Sequence, residues 1–434
     1  MEHIPSINDS TMLVKLQDRI GKLLLSRQWS DCVFKINSTY IYAHRVILAS
    51  ASPVFDAMLY GSLAEVDVIN IYDIDLEAFK CMLSYIYTDK SSIPSIENAC
   101  KLLYASIKYM LHHLQGICKI YIMKNLSISN ALEILDFAIV IHDDFLIKAA
   151  MQVICTHPKY VFLETDYHPH PLTMLEIAKQ ETINISEIDL LDIINKWYLN
   201  ECDIQGINIS MDSVQKILID SEILHKIRFS SMSMSDYSKI HSIINHLPHE
   251  TLHKMTNNAQ LSKITLSPRK KVNIVWHYCI CRYFKSSYPL WVDSSTPSLQ
   301  VIIIANKTVL VNSFKITSRL SPPNLQWPFS NLGNDYNENI KVEVVDNYQN
   351  IMAETNICSK ANFNDYLNIN LNEPIVFRNK EPYTVKFKWN MDELSTMVAQ
   401  YPQQFVSDIG SKNGITFSIK NQEATFICGI TYSL

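Results

Sequence analysis

The sequence predicts a multidomain α+β protein: an α/β module, then an all-α module, then an all-β module. Three observations predict it. Up to about residue 115, short alternating strands interleave with amphipathic helices. From 116 to 255 the apolar residues recur almost entirely at helical spacing. After a polar stretch at 256–271, short strand-like runs follow one another between turn signals, the pattern of a β-sandwich. With 434 residues, the chain has room for about two to four domains. Its 47% hydrophobic content supplies their cores and excludes disorder over the whole length.

The first element is an amphipathic helix. Ser10 or Thr11 would cap it, and Leu13, Leu16, Ile20, Leu23 and Leu24 share one face. That stripe has two readings, a helix packed on its own domain or a dimerisation arm. Trp29–Ile36 alternates as a strand, Asn37-Ser38 turns, and Tyr40–Ala43 returns as a second strand. His44–Tyr60 holds two short helices, the second starting at Ser52-Pro53. Val68–Ile71 is a third strand. Asp75 opens a helix with Phe79, Leu83 and Ile86 inward, and Glu97–Tyr109 forms another around Leu102, Leu103 and Ala105.

In the middle module, Ile134, Leu135, Ala138 and Ile141 form one stripe, and Leu172, Leu175 and Ile177 start another. Ile188, Leu191, Ile194 and Trp197 form a third, capped by Ser186. His157–Pro171 holds three prolines and reads as a loop. No solenoid period is present. Residues 256–271 read as a linker ending in Arg269-Lys270-Lys271. Strands are then expected at Asn273–Tyr278, Gln300–Ile304, Thr308–Ser313, Lys341–Val345, Thr384–Trp389, Ile415–Ile419 and Ala424–Ile430, with a tight hairpin at Lys412-Asn413-Gly414.

Charge and composition exclude several function classes. A net charge of −5 is no footprint for nucleic acid, because phosphate binding needs a basic excess. The longest apolar runs, such as Phe137–Ile141 and Val301–Ala305, fall far short of a bilayer span, so no membrane partner is expected. Met1–Ser10 is polar and lacks the apolar core of a secretory signal. Ten cysteines without a CxxC pair read as buried thiols in a reducing compartment, cytoplasmic or nuclear. Only eight glycines are present, so turns must use Asn, Asp, Ser and Pro.

Catalytic motifs are missing: no GxGxxG, GxxxxGK, HExxH or GxSxG occurs. His112-His113 and the set His157, His168 and His170 lack a converging second set of ligands, so solvated loop histidines outweigh a metal site. Cys279-Ile280-Cys281 reads as thiols in a sheet. Three basic residues at 269–271 read as solvated linker before an import signal. No cofactor, metal or catalytic residue is expected.

The residues also carry a family resemblance. Trp29-Ser30-Asp31-Cys32-Val33-Phe34, Ala43-His44-Arg45-Val46-Ile47-Leu48-Ala49-Ser50, Ser52-Pro53-Val54-Phe55 and Tyr85-Ile86-Tyr87-Thr88 occur in the order and spacing of a BTB/POZ domain, which the segment 10–115 resembles. Residues 116–255 resemble a BACK domain through Asn125-Leu126, Asn130, Leu135, Ala138, Ile183-Asn184-Ile185-Ser186-Glu187, Trp197, Ile227-Arg228-Phe229 and Met232-Ser233. Residues 272–434 are similar to a PHR β-sandwich at Cys281-Arg282-Tyr283-Phe284, Glu373-Pro374-Ile375, Tyr383-Thr384 and Ile415-Thr416-Phe417. That order is the order of BTB/POZ-domain-containing proteins that serve as cullin-3 adaptors.

The resemblance implies a homodimer through the N-terminal helix. Leu13, Leu16, Ile20 and Leu24 would lie in its interface, with Asp31 and Arg45 close by. It also implies a cullin-3 contact at the hydrophobic-x-Glu motif Leu63-Ala64-Glu65, extended by Tyr60 and by the helices from Cys118 onward. An apolar anchor with a carboxylate two residues on suits a pocket and fixes register. The PHR-like module would hold an unknown protein substrate. Where that family places a glycine-rich loop, this chain has Leu310-Val311-Asn312-Ser313-Phe314, so no substrate residue carries over. The expected function is a non-enzymatic, substrate-recruiting adaptor of a cullin-3 ubiquitin ligase. The alternative is a BTB-dimerised scaffold or transcriptional co-regulator that does not bind cullin.

Overall fold

A computed structural model describes residues 15–62, 64, 67–243, 268–280, 290–292, 298–321, 335–389, 399–402, 408–410, 414–420 and 427–434. The chain divides into two compact units, Met1–Leu126 with Ile134–Ala150, and Ser127–Glu133 with Met151–Leu434. The three-part α/β, α, β order expected from the sequence is the observed one.

In the first unit, α1 (Leu16–Ser26) precedes the strands β1 (Cys32–Ile36) and β2 (Thr39–Ala43). These two form an antiparallel hairpin that closes at Ile36 and Thr39, with Asn37 at positive φ. Trp29 does not begin the strand. Arg27 and Trp29 both sit in the left-handed region while the chain leaves α1, and the Trp29 side chain is 81% exposed. The short helices α2 (Arg45–Ala51) and α3 (Pro53–Tyr60) follow. Ser52 caps α3 by accepting from the Phe55 N–H, and Pro53 occupies the first turn, where its missing N–H costs nothing. β3 (Ile69–Ile71) pairs parallel to β1, which gives the sheet order β2-β1-β3.

Helices α4 (Leu76–Thr88), α5 (Ile96–Lys108) and α6 (His112–Asn125) complete the layer, the first two capped by Asp75 and Ser95. Helix α6 runs through the boundary expected at 115/116. Phe34 meets Phe55 edge-on at 5.8 Å and Phe79 at 5.2 Å, while Phe55 stacks on Tyr109 at 4.1 Å. These rings tie strand, α3, α4 and the end of α5 into one core. Phe79 and Leu83 are buried as expected; Ile86 is half-buried.

After α7 (Ala131–Val140) and α8 (Asp144–Thr156), the second unit departs from expectation. Part of the proline-rich stretch read as a loop is a helix, α9 (Pro158–Leu163). Its proline stands at the first helical position, where proline starts a helix. The same holds for α10 (Pro171–Ala178), whose buried set is Thr173, Met174, Ile177 and Ala178, with Leu172 exposed. In α11 (Glu187–Gln205), Ser186 accepts from the Asp189 N–H, and Leu191, Ile194 and Trp197 are buried as the stripe requires. A single turn, α12 (Met211–Val214), and a ten-residue helix, α13 (Met234–Ile243), end the helical region.

The C-terminal strands are β4 (His277–Ile280), β5 (Leu290–Val292), β6 (Ser298–Ala305), β7 (Val309–Thr317), β8 (Asp335–Val345), β9 (Ile351–Asn362), β10 (Tyr366–Phe377), β11 (Pro382–Trp389), β12 (Ala399–Tyr401), β13 (Asp408–Gly410), β14 (Thr416–Lys420) and β15 (Ile427–Ser433). Among the described residues they form a four-stranded sheet, β10-β7-β15-β4, a six-stranded sheet, β13-β14-β6-β11-β8-β9, and the pair β12-β5. One core joins them, built on Val301, Ile303, Phe314, Ile316, Ile340, Val342, Val385, Phe387, Phe417 and Tyr432.

The expected strand at 273–278 starts only at His277. β9 and β10 were not anticipated. Most β9 side chains face solvent, so its sequence reads as polar. Leu310–Phe314 lies inside β7, between β10 and β15, where extended backbone needs no glycine. Lys412 and Asn413 lie outside the described residues, as do Cys281 and 424–426. Gly414 has φ 73° and leads into β14, which pairs antiparallel with β13.

Helix α9 is fixed to the sheets along one stripe. His157 Nε2 lies 2.9 Å from Ser433 Oγ, the Tyr160 hydroxyl donates to the Pro374 carbonyl at 3.0 Å, and Arg378 Nε donates to Glu164 at 2.6 Å. His157 is buried, and desolvation lowers its pKa to about 4, so the imidazole is neutral at pH 7. His168 stacks on Trp197 and meets Glu201 at 2.5 Å. Both histidines are packed, against the expectation of solvated loops.

Candidate partner-binding surfaces

The expected dimer helix carries its apolar residues outward. Helix α1 has no fully buried residue; Leu16 is 61% and Leu25 84% exposed, while Ile20, Leu23 and Leu24 are half-buried. It lies against α4 through Gly21, where an added Cβ would come within 2.7 Å of the Thr88 methyl. Lys90–Asp18 at 3.3 Å and Gln17–Asp89 at 3.1 Å hold its flank. Between α1, β2 and α4 runs a groove of about 640 Å³, lined by Leu24, Leu25, Tyr40, Tyr42, Leu83 and Thr88. Tyr40 and Tyr42 form its β2 wall, which the sequence pattern shows only as a strand. Leu13, Ser10 and Thr11 lie outside the described residues.

Asp31 and Arg45 meet, mainly through main chain. The Asp31 carboxylate accepts the Arg45 backbone N–H at 2.7 Å, and Arg45 Nε donates to the Asp31 carbonyl at 3.1 Å. Arg45 Nη1 also donates to the Leu59 carbonyl at 3.0 Å, which ties the start of α2 to the end of α3. Asp31 itself is exposed. His44, a member of the sequence signature, is buried: its ring lies 2.9 Å from the Tyr87 hydroxyl and 2.7 Å from the Gln28 carbonyl.

At the C-terminus of α3, Tyr60 is 56% exposed and Ala64 is half-buried. Leu63 and Glu65 lie outside the described residues. Exposed apolar side chains continue on this unit at Tyr72, Ile107 and Met110. Lys108 and Tyr104 both hold Asp73, the lysine at 2.6 Å.

In the second unit, the all-β region contains a buried polar cluster. Glu338 is fully buried and accepts from Arg319 Nη2 at 2.9 Å, Tyr336 at 2.8 Å and Tyr401 at 2.9 Å. Burial and the Glu338 charge hold the Tyr401 phenol well above its ordinary pKa, so it stays a donor. Arg269 is the largest correction to the sequence reading. Expected in solvated linker, its side chain is 2% exposed and pairs with Glu187 at 2.6 Å. Cys32, Cys118 and Cys155 are buried thiols, pushed by desolvation to about 12, 12 and 11, so they are inert at pH 7. Among the described residues, no group of three His, Cys, Asp or Glu is placed to hold a metal, and no helix is long and apolar enough to cross a membrane.

Residues 20–126 match the BTB/POZ domain family. The chain is 31% identical over 245 residues to human BTB/POZ domain-containing protein 3, covering 54% of this chain and 46% of that protein. Against zebrafish BTB/POZ domain-containing protein 6-A the identity is 28% over 229 residues, 51% of this chain and 42% of that one. Against mouse TD and POZ domain-containing protein 2 it is 34% over 176 residues, 38% and 48%. The chain thus spans about half the length of the curated relatives it matches. A solved BTB domain of zebrafish PATZ1 aligns at 19% identity and TM-score 0.22, over 24% of this chain and 86% of that one. With its parallel and antiparallel strand triplet ringed by α1–α6 and the matched residues 20–126, the N-terminal part of the chain is a BTB/POZ domain, followed by a helical region and an all-β region.

Proposed function

We propose that this protein is a non-catalytic, substrate-recruiting adaptor of a cullin-3 RING ubiquitin ligase, working in the cytoplasm as a homodimer. The carrying observation is the exposed side chain of Tyr60 at the end of α3. Tyr60 stands exposed at the helix end, and the motif Leu63-Ala64-Glu65 follows directly. On this reading the leucine anchors in a cullin pocket and the glutamate fixes register. BTB domains commonly dimerise and bind partner proteins. The exposed leucines of α1 supply the apolar material for the dimer, and α1 with Asp31 and Arg45 would form its interface. The helical region acts as a BACK domain that extends the cullin contact. The C-terminal sheets act as a PHR-like sandwich that holds the substrate and raises its local concentration at the ligase.

The test is to mix the 434-residue chain with the N-terminal domain of cullin-3 and weigh the complex by light scattering. A two-to-two complex is expected. Glu65→Lys should weaken it at least about 30-fold, the loss of a 2 kcal/mol hot spot, with circular dichroism unchanged. A stable dimer that ignores cullin-3 would sink the adaptor reading and leave the scaffold or co-regulator in its place.

A further inference from the structure

The segment Pro268–Val272 is bound to the helical region as a peptide would be. All five N–H donors of Arg269 are used. Nε donates to Glu187 Oε1 at 2.6 Å and Nη2 to Glu187 Oε2 at 3.4 Å. Nη1 donates to the carbonyls of Ala178, at 2.9 Å, and Gln180; Nη2 donates to the carbonyl of Lys226 at 2.8 Å. The fork of a guanidinium is the one side chain with this donor set, and lysine has neither the plane nor the number. The carbonyl of Ala178 belongs to the last residue of α10, the negative end of that helix. Glu187 Oε2 also accepts the Arg228 N–H at 3.1 Å, which holds the carboxylate in place.

The backbone is read as well. Lys270 bridges Thr182 in parallel: its N–H donates to the Glu181 carbonyl and its own carbonyl accepts from the Ile183 N–H, both at 2.9 Å. Two residues on, the Asn184 side-chain amide closes on Val272 from both sides. Asn184 Oδ1 accepts the Val272 N–H at 2.7 Å, and Asn184 Nδ2 donates to the Val272 carbonyl at 2.9 Å. The side chains of Lys270 and Lys271 point to solvent and are not read. One arginine in a buried clamp, one backbone bridge at Lys270 and one side-chain amide closing on Val272 read the segment as a bound peptide is read.

We propose that residues 178–187 with Lys226 form an arginine-reading peptide site, and that its occupant here is the chain's own segment 268–272, held in cis. Residues 244–267 join that segment to α13. Short joining segments give an effective concentration on the order of millimolar, so a peptide in trans is excluded while the cis segment is seated.

The experiment uses the 434-residue chain and a fluorescent synthetic peptide of residues 267–274. Fluorescence polarisation should show saturable binding to Arg269→Ala, and binding at least tenfold weaker to the wild type. Replacing the peptide's arginine with lysine or alanine should weaken binding at least tenfold, and adding Glu187→Gln to the chain should abolish it. A second variant, Val272→Pro, removes the N–H that Asn184 reads and should also admit the peptide. Peptide binding should raise the melting temperature of either variant. A folded variant that shows no saturable binding, or binding that ignores the arginine, overturns the site. Equal binding to wild type and variants also overturns it, because the peptide would then lie elsewhere.

Discussion

Replacing Arg319 with methionine would take from the fully buried Glu338 its charged partner, leaving the hydroxyls of Tyr336 and Tyr401 as its partners among the described residues. Breaking a buried ion pair by removing one partner costs about 3–5 kcal/mol, because the remaining charge has lost its compensation. The Arg319 side chain is 21% exposed, so water reaches part of the vacated space and the lower end, about 3 kcal/mol, is expected. In a cooperative unit of this size, each kcal/mol shifts the midpoint by about 2–4 °C, so the melt should fall by roughly 6–12 °C. Near-UV circular dichroism reports it directly, since Trp389 Nε1 donates to the Tyr401 hydroxyl at 2.8 Å within the same cluster. The double variant Arg319→Met with Glu338→Leu should recover most of the loss, because it removes the orphaned charge. A single variant that loses less than about 1 kcal/mol, or a double variant no better than the single, would refute the view that charge compensation holds this end of the sheets together.

Two further predictions concern buried polar groups. His157, with its pKa lowered to about 4 by burial, binds its proton more weakly folded than unfolded, so stability is constant above about pH 6.5 and falls between about pH 6.5 and 4. Urea titrations across that window should show a total loss of roughly 3 kcal/mol, much of which His157→Gln removes; an unchanged slope in the variant would assign it to other groups. Ser52→Ala deletes both the cap on Phe55 N–H and the 2.6 Å bond to the Tyr109 carbonyl, at a site that is almost fully buried. Its expected cost is about 1–3 kcal/mol by denaturant unfolding, and a neutral result would mean that water satisfies both groups.

What could be read in advance follows from the range of the interaction. The β1–β2 hairpin from Cys32 onward, the caps Ser52, Asp75 and Ser186, and the stripe ending at Trp197 depend on neighbours within a few residues, and each stands where its spacing placed it. Helix α9 was missed because proline was weighed as a breaker, when its meaning depends on position within the first turn. β9 was missed because an edge strand that faces solvent carries little apolar alternation. Arg269 was unreadable for a different reason: Glu187 lies 82 residues away, and the carbonyls it binds belong to backbone, whose placement no side-chain pattern announces. The BTB domain was legible through its signature residues, but the tyrosine wall of the α1 groove emerges only once β2 and α4 are set beside the helix.

The contacts of α9 bear on how such proteins could be recombined. His157, Tyr160 and Glu164 fall on one helical face and each is bonded to the sheets. One residue inserted among them would turn the later partners by about 100° and break the match. A chimaera that exchanged only residues 272–434 would leave these three bonds without their counterparts. The transplantable piece begins upstream of His157, so the sheets would have to travel with their own helices.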